Sequence, residues 1–251
     1  SRASSTTGQV GTWLTFAGSV YRFDAFSSGG GVPGSGEQSA PGGSWGTHGS
    51  YSGGGAGGQA GHSIASLGGD WDGDGIEDVI LGIPFGGPNG EGQVQVISGA
   101  SWTLLLSIDP PPNIGAATFG WAVDSMGDLD GDGLREIVIG APDSDFVSGG
   151  LNYLQAGVVW IYKSLTGALV HLNRPSPGVL VPQEGAGFGF ALTNIGDTDG
   201  DGVDDLVVGE PFWDTTSSDA GRFTVFSGST LDYWWAQEGV GNTYGRPPHN
   251  G

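Results

Sequence analysis

The sequence predicts an all-β fold, and three observations carry that prediction. Strand and turn signals dominate the 251 residues, and the long helix-forming stretches of an α-protein are absent. Short apolar runs closed by Gly and Pro recur as Val79-Ile80-Leu81-Gly82-Ile83-Pro84, Ile137-Val138-Ile139-Gly140-Ala141-Pro142 and Leu206-Val207-Val208-Gly209-Glu210-Pro211. Runs of this length and β-branched content read as buried strands. Each run directly follows the same acidic nine-residue pattern, so the pattern joins two strands.

The three acidic copies begin at Asp70, Asp128 and Asp197. Carboxylates stand at positions one, three, five and nine. They are Asp70, Asp72, Asp74 and Asp78, then Asp128, Asp130, Asp132 and Glu136, then Asp197, Asp199, Asp201 and Asp205. Gly at position six permits a sharp turn, and the position-seven carbonyls of Ile76, Leu134 and Val203 can add an oxygen. Alternating acidic residues on a tight turn bring several hard oxygens toward one point, as a Ca²⁺ site requires. An acidic surface turn explains one copy, but solvated turns have no reason to repeat a ligand spacing three times. Mg²⁺ fits less well, because it keeps several waters and seldom takes an all-protein cage. An EF-hand needs a bidentate Glu at position twelve, where this chain has Leu81, Ile139 and Val208, so that loop type is excluded. The expectation is three Ca²⁺ sites.

Residues ahead of the loops also repeat. Phe119-Gly120-Trp121-Ala122-Val123 aligns with Phe188-Gly189-Phe190-Ala191-Leu192, and Gly61-His62-Ser63-Ile64-Ala65 is the looser third. Phe-Gly before an Asp-rich loop and Gly-Ala-Pro after it resembles the FG-GAP repeat of integrin α-subunit β-propellers and their bacterial relatives. The second copy carries both halves, Phe119-Gly120 and Gly140-Ala141-Pro142. The third has Phe188-Gly189 with Gly209-Glu210-Pro211, and the first has Gly82-Ile83-Pro84 without the Phe. The resemblance covers about residues 59 to 235. It implies a propeller-like array of four-stranded antiparallel blades, with Ca²⁺ between the first two strands of each blade. Glu136 departs from the Asp usual in the family, which implies a looser site.

Taken in order, 1–27 gives two N-terminal strands, Gly11 to Phe16 and Ser19 to Phe26, as a partial blade. Residues 28–58 form a Gly/Ser-rich segment, with Trp45 and Tyr51 embedded, that composition leaves open between a flexible linker and a packed segment. Repeats one, two and three span 59–115, 116–184 and 185–235. Gly92 to Ile97, Gly157 to Tyr162 and Gly221 to Phe226 are candidates for their third strands, and Thr166-Gly167 and Ser227-Gly228-Ser229 are hairpin turns into outer strands. Repeat two carries an insertion over 143–154. In the tail, 236–251, Gln237-Glu238-Gly239 echoes Gln183-Glu184-Gly185, which leads into repeat three. The tail thus reads as the first strand of a fourth blade, which the two chain ends would build together. Either that blade closes a ring within one chain, or edge strands pair with another copy to give a ring or filament.

The charge balance excludes several partners. Net charge is −20 with only seven Lys and Arg, against nucleic-acid binding and against anionic membrane surfaces. No apolar run reaches membrane-spanning length. No cysteine is present, so disulfides and thiolate sites are excluded. Gly, at 52 residues, is about three times ordinary usage, yet without the Gly-X-Y period of collagen. Calcium loops load readily in millimolar extracellular Ca²⁺, so the expected location is extracellular or at a cell surface. Ser1-Arg2-Ala3-Ser4-Ser5 reads as the start of a processed chain.

Catalysis finds no support. His48, His62, His171 and His249 share no motif, and Gly42-Gly43-Ser44-Trp45-Gly46 lies in a Gly/Ser tract and not on a strand-to-helix elbow. Glu77 and Asp204, at loop position eight, should point away from the metal, either into solvent or into supporting contacts beside the site. Trp71 and Trp234-Trp235 are the best candidates for a sugar platform, against a packing role. The reading is a non-enzymatic, calcium-stabilised extracellular structural protein that self-associates as a homo-oligomer or polymer through edge strands and tails. The alternative is an adhesin-like module that binds a protein or glycan through propeller loops.

Overall fold

A computed structural model describes residues 11–16, 19–26, 38–40, 43–52, 57–111, 118–148, 150–164, 166–173, 182–215, 218–239 and 243–245. Among them are nineteen strands and no helix. The first four are β1 (Gly11–Phe16), β2 (Ser19–Phe26), β3 (Gln38–Ala40) and β4 (Gly43–Ser52). Then come β5 (Ser63–Ser66), β6 (Val79–Ile83), β7 (Gln93–Ile97) and β8 (Leu104–Ile108), which form the first blade. The second blade holds β9 (Ala122–Met126) and β10 (Glu136–Ala141), a separate hairpin of β11 (Phe146–Ser148) and β12 (Leu151–Tyr153), then β13 (Val158–Tyr162) and β14 (Leu169–Asn173). The third holds β15 (Ala191–Asn194), β16 (Leu206–Glu210), β17 (Arg222–Phe226), β18 (Tyr233–Glu238) and β19 (Thr243–Gly245).

All the sheets are antiparallel, and each blade is a meander in chain order: β5-β6-β7-β8, β9-β10-β13-β14 and β15-β16-β17-β18-β19. The expected second and third strands sit where the sequence places them, and each acidic loop joins the first strand of a blade to its second. The insertion of repeat two is the β11–β12 hairpin. First strands β5, β9 and β15 lie side by side, so consecutive blades meet along them. This is the arrangement of a β-propeller.

Two expectations need correction. The C-terminal strand does not begin a fourth blade: Thr243–Gly245 pairs antiparallel with β18 as a fifth strand on the outside of blade three. The N-terminal strands pair among themselves in the order β1-β2-β4-β3 and, among the described residues, take no strand from the tail. The Gly/Ser segment supplies β3 and β4 to that sheet, which favours packing over the linker alternative, and Ser44 lies within β4. Residues 1–10, 27–37 and 246–251, His249 included, lie outside the described residues.

Packing explains why the second strands read as unbroken apolar runs. In β10, Ile137 and Ile139 face blade one, packing with Ile80, Val94, Val96 and Phe119, while Val138 faces blade three, packing with Phe188, Leu206 and Val208. A strand buried on both sides has no polar alternation. In β16, by contrast, Leu206 and Val208 are buried toward blade two, whereas Val207 and Gly209 are half-buried on the other face.

The Phe-Gly and Gly-x-Pro elements act between blades. Phe119 of blade two bridges Gly92 of blade one, and Phe188 of blade three bridges Gly157 of blade two. The amides of Phe119 and Phe188 donate to the carbonyls of Glu91 and Ala156 at 3.1 and 2.9 Å. A Cβ on Gly82 would lie 2.1 Å from the Gly120 carbonyl, and one on Gly140 would lie 2.1 Å from the Gly189 carbonyl. Glycine is required there by the approach of the next blade's backbone. The residues after each Phe-Gly pair, or its counterpart, pack as tilted rings in a row, with His62 4.3 Å from Trp121 and Trp121 5.3 Å from Phe190.

Gly140→Ala should therefore lower stability by about 1–3 kcal/mol. Gly209→Ala, whose Cβ meets nothing closer than 3.3 Å, should be close to neutral. Urea melts of the two variants check this, and equal losses would refute the joint.

Candidate metal centres

Each acidic loop is shaped by its own first carboxylate. Asp70 Oδ1 accepts from the amides of Gly73 and Asp74 at 2.8 and 3.0 Å, and Oδ2 accepts from Gly75 at 2.7 Å. Asp128 does the same with Gly131, Asp132 and Gly133, and Asp197 with Gly200, Asp201 and Gly202. Three amides per carboxylate wind the loop tightly. They hold Asp70 and Asp128 below the usual carboxylate range, with the Gly75 and Gly133 amides the largest causes. The position-five carboxylates Asp74, Asp132 and Asp201 accept from the amides of Ile76, Leu134 and Val203.

Position nine closes each loop from below. Asp78 Oδ2 accepts from the Trp71 amide at 2.8 Å, Glu136 Oε2 from Leu129 at 2.6 Å and Asp205 Oδ2 from Thr198 at 2.9 Å. All three acids are buried at 1% exposure or less. Burial pushes the Asp78 carboxyl up. It pushes Glu136 up to about 7, helped by the negative charges of Asp130, Asp128 and Asp132.

Carboxylate oxygens converge in all three loops. Asp70, Asp72 and Asp78 each offer one oxygen within 4.8 Å of the others, as do Asp197, Asp199 and Asp205, and as do Asp128, Asp130, Asp132 and Glu136. Oxygens on opposite sides of a Ca²⁺ ion, at its usual ligand distances, stand about 4.6–5.2 Å apart. The donor set and its spacing therefore fit a hard divalent cation. Asp74 and Asp201, expected as ligands, are not in the clusters of loops one and three. Asp74 Oδ2 instead accepts from Ser98 Oγ at 3.0 Å, and Asp201 Oδ2 accepts from Ser227 Oγ at 3.2 Å and from Ser229 Oγ. The sequence reading missed these hydroxyls, although a Ser after the third strand in both repeats was the signal available.

At position eight the two acids divide. Glu77 is exposed, but Asp204 is not a solvated acid: it pairs with Arg135 of loop two at 2.9 Å and accepts from Asn194 Nδ2 at 3.0 Å. Arg135 also lies against Gly68 of blade one, so one side chain touches all three blades. A cleft of about 350 Å³ opens there, lined by Leu67, Asp128, Arg135 and Asp204 among others. The Trp candidates have packing roles: Trp71 lies on the core between blades one and two, and Trp235 meets Phe223 edge-on at 5.3 Å.

A family model described as FG-GAP repeat matches residues 119–162 and 188–226. Human integrin alpha-8 is 27% identical over 199 residues, 74% of this chain and 17% of the relative. Integrin alpha-PS2 of Drosophila melanogaster is 35% identical over 149 residues, 57% of this chain and 10% of the relative. Integrin alpha-5 of Xenopus laevis is 32% identical over 168 residues, 66% of this chain and 15% of the relative. The chain spans less than a fifth of the length of these curated relatives.

Two outcomes follow from the loop geometry. Asp72→Ala and Asp199→Ala should each cost about 1–3 kcal/mol in about 10 mM Ca²⁺, since an ion held only by the folded loop stabilises it by mass action. Neither should cost much in chelator, and equal losses in both buffers would reject a metal role. The second concerns Glu136 without divalent ions. Its folded pKa lies above the usual carboxylate value, so its contribution is full at low pH and is lost as pH rises through about 7. In chelator, Glu136→Gln should abolish a fall in melting temperature between about pH 4.5 and 7.5 that the wild type shows.

Proposed function

Because this chain belongs to the FG-GAP, integrin α-like repeat family, we propose that it is a calcium-stabilised, non-catalytic extracellular propeller segment with an adhesion-related, structural role. Three loops would hold the ions. The proposed ligands are Asp70, Asp72 and Asp78, then Asp128, Asp130, Asp132 and Glu136, then Asp197, Asp199 and Asp205. Carbonyls of Ile76, Leu134 and Val203 complete the shells, and Asp74 and Asp201 join by turning from their serine partners. Calcium is preferred over magnesium because so many protein oxygens are offered to one ion. Its task is mechanical: it neutralises crowded carboxylates and ties the first strand of a blade to the second.

Self-association completes the proposal, and one observation carries it. The outer face of blade three has the parts of an interblade joint and is partly open. Phe223 is 38% exposed, and Val207 and Trp235 are half-buried. A hollow of about 300 Å³ lies over Gly209, Gly221, Phe223 and Gln237, the strands against which a next blade would pack. A blade of a second copy is the occupant we propose, since exposed apolar sheet faces and edges favour further pairing.

An adhesin-like binding module is the second reading. The row His62, Trp121, Phe190 and Phe212 favours it, with Phe212 47% exposed and 5.6 Å from Phe190. It lies at the ends of the inner strands opposite the acidic loops and suits an apolar or glycan surface.

Sedimentation velocity in Ca²⁺ and in excess chelator separates the two. Self-association predicts oligomers in Ca²⁺ that shrink on chelation and on Phe223→Ser. A single-chain particle at high concentration in both buffers would overturn it and leave the binding-module reading.

A further inference from the structure

Loop two differs from the other loops at one place that strand pairing makes comparable. Val79 pairs with Ile97, Leu206 with Phe226 and Ile137 with Tyr162. The residues that follow the third strand, Ser98, Ser227 and Lys163, therefore hold equivalent positions. The two serines donate to the position-five carboxylates Asp74 and Asp201. Lys163 instead sets its ammonium on Asp130 Oδ2, the position-three carboxylate and a proposed ion ligand.

The next position differs as well. Amides of Gly99 and Gly228 donate to the buried Asp78 and Asp205 at 3.0 and 2.9 Å. A Cβ at either glycine would lie 2.1 or 2.2 Å from the carbonyl of Glu77 or Asp204. Blade two has Ser164 there, and its hydroxyl donates to the Arg135 carbonyl, the equivalent oxygen. The acid beneath is the longer Glu136, held by Leu129. Loop two has thus exchanged three residues together: Ser for Lys, Gly for Ser and Asp for Glu.

We propose that Lys163 is a tethered cation that supplies part of the divalent ion's charge in loop two, so that this loop binds calcium at least tenfold more weakly than loops one and three. The proposal rests on the calcium reading above. An ammonium fixed to a neighbouring strand engages a ligand oxygen that the ion needs, and its charge repels an ion in the same cluster. Lys163 is 39% exposed on its side chain, so solvent screens the pair and the effect is a weakening, not exclusion. The middle blade thereby keeps part of its loop order without calcium, while its two neighbours depend on the ion.

The test is calcium titration of the full chain by calorimetry, with bound ions counted by native mass spectrometry. Wild type should hold two ions tightly and a third at least tenfold more weakly. Lys163→Ser should raise the tight count to three. Lys163→Gln, which keeps the side-chain length without its charge, should do the same and guards against a misfolded serine variant. Ser98→Lys should cost wild type one tight ion. Three equal sites in wild type, or a tight count that neither Lys163 variant changes, would overturn the proposal. Absence of tight binding in every protein would overturn the calcium reading itself and the proposal with it.

Discussion

The rest of the structure depends on a crowding of like charges. Each acidic loop gathers carboxylate oxygens within 4.8 Å of one another, beside a position-nine acid that is almost wholly buried. Such a group is costly without positive charge among its members. Amide hydrogen bonds to the first carboxylate offset some of the cost and fix the turn, but they leave the inner oxygens of the other acids turned to one point. A hard cation would resolve the repulsion. In loop two a lysine from the next hairpin resolves part of it. On the calcium reading, the loops are therefore the places where folding and ion supply are coupled, and they sit where each blade turns from its first strand to its second.

From those loops the order spreads between blades. Position nine leads directly into β6, β10 and β16, and the glycines of β6 and β10 accept the backbone of the next blade's Phe-Gly turn. The Phe side chains then fill the interblade cores, Phe119 between blades one and two and Phe188 between blades two and three. Loop geometry, strand burial and blade contact are one connected device. Arg135 adds a polar tie across the acidic-loop end of the blades. On the outer face of blade three, the alternating burial of β16 leaves Val207 and Gly209 half open.

Much of this was legible in the sequence because its signals are local. Ligand spacing, the Gly at position six and the apolar run after each loop lie within about fifteen residues, so loops and second strands could be placed from the chain alone. What escaped was set by distance. Ser98, Ser227 and Lys163 reach the loops from a strand about twenty to thirty residues later, and only pairing with β6, β16 and β10 brings them there. Asp204 looked solvated because its partner Arg135 belongs to another blade. The tail strand was misplaced because its likeness to the segment before repeat three outweighed the simpler course of folding back on β18. The glycine of the Gly-x-Pro element was visible, but its reason, a carbonyl from the next blade, was not.

The measurement that tests the central claim most directly is amide hydrogen exchange over residues 70–78, 128–136 and 197–205, with calcium and with chelator. The account predicts that calcium slows exchange strongly in the first and third loops and in the strands they lead into, and less in the second. Exchange that is the same in both buffers across all three loops would contradict it.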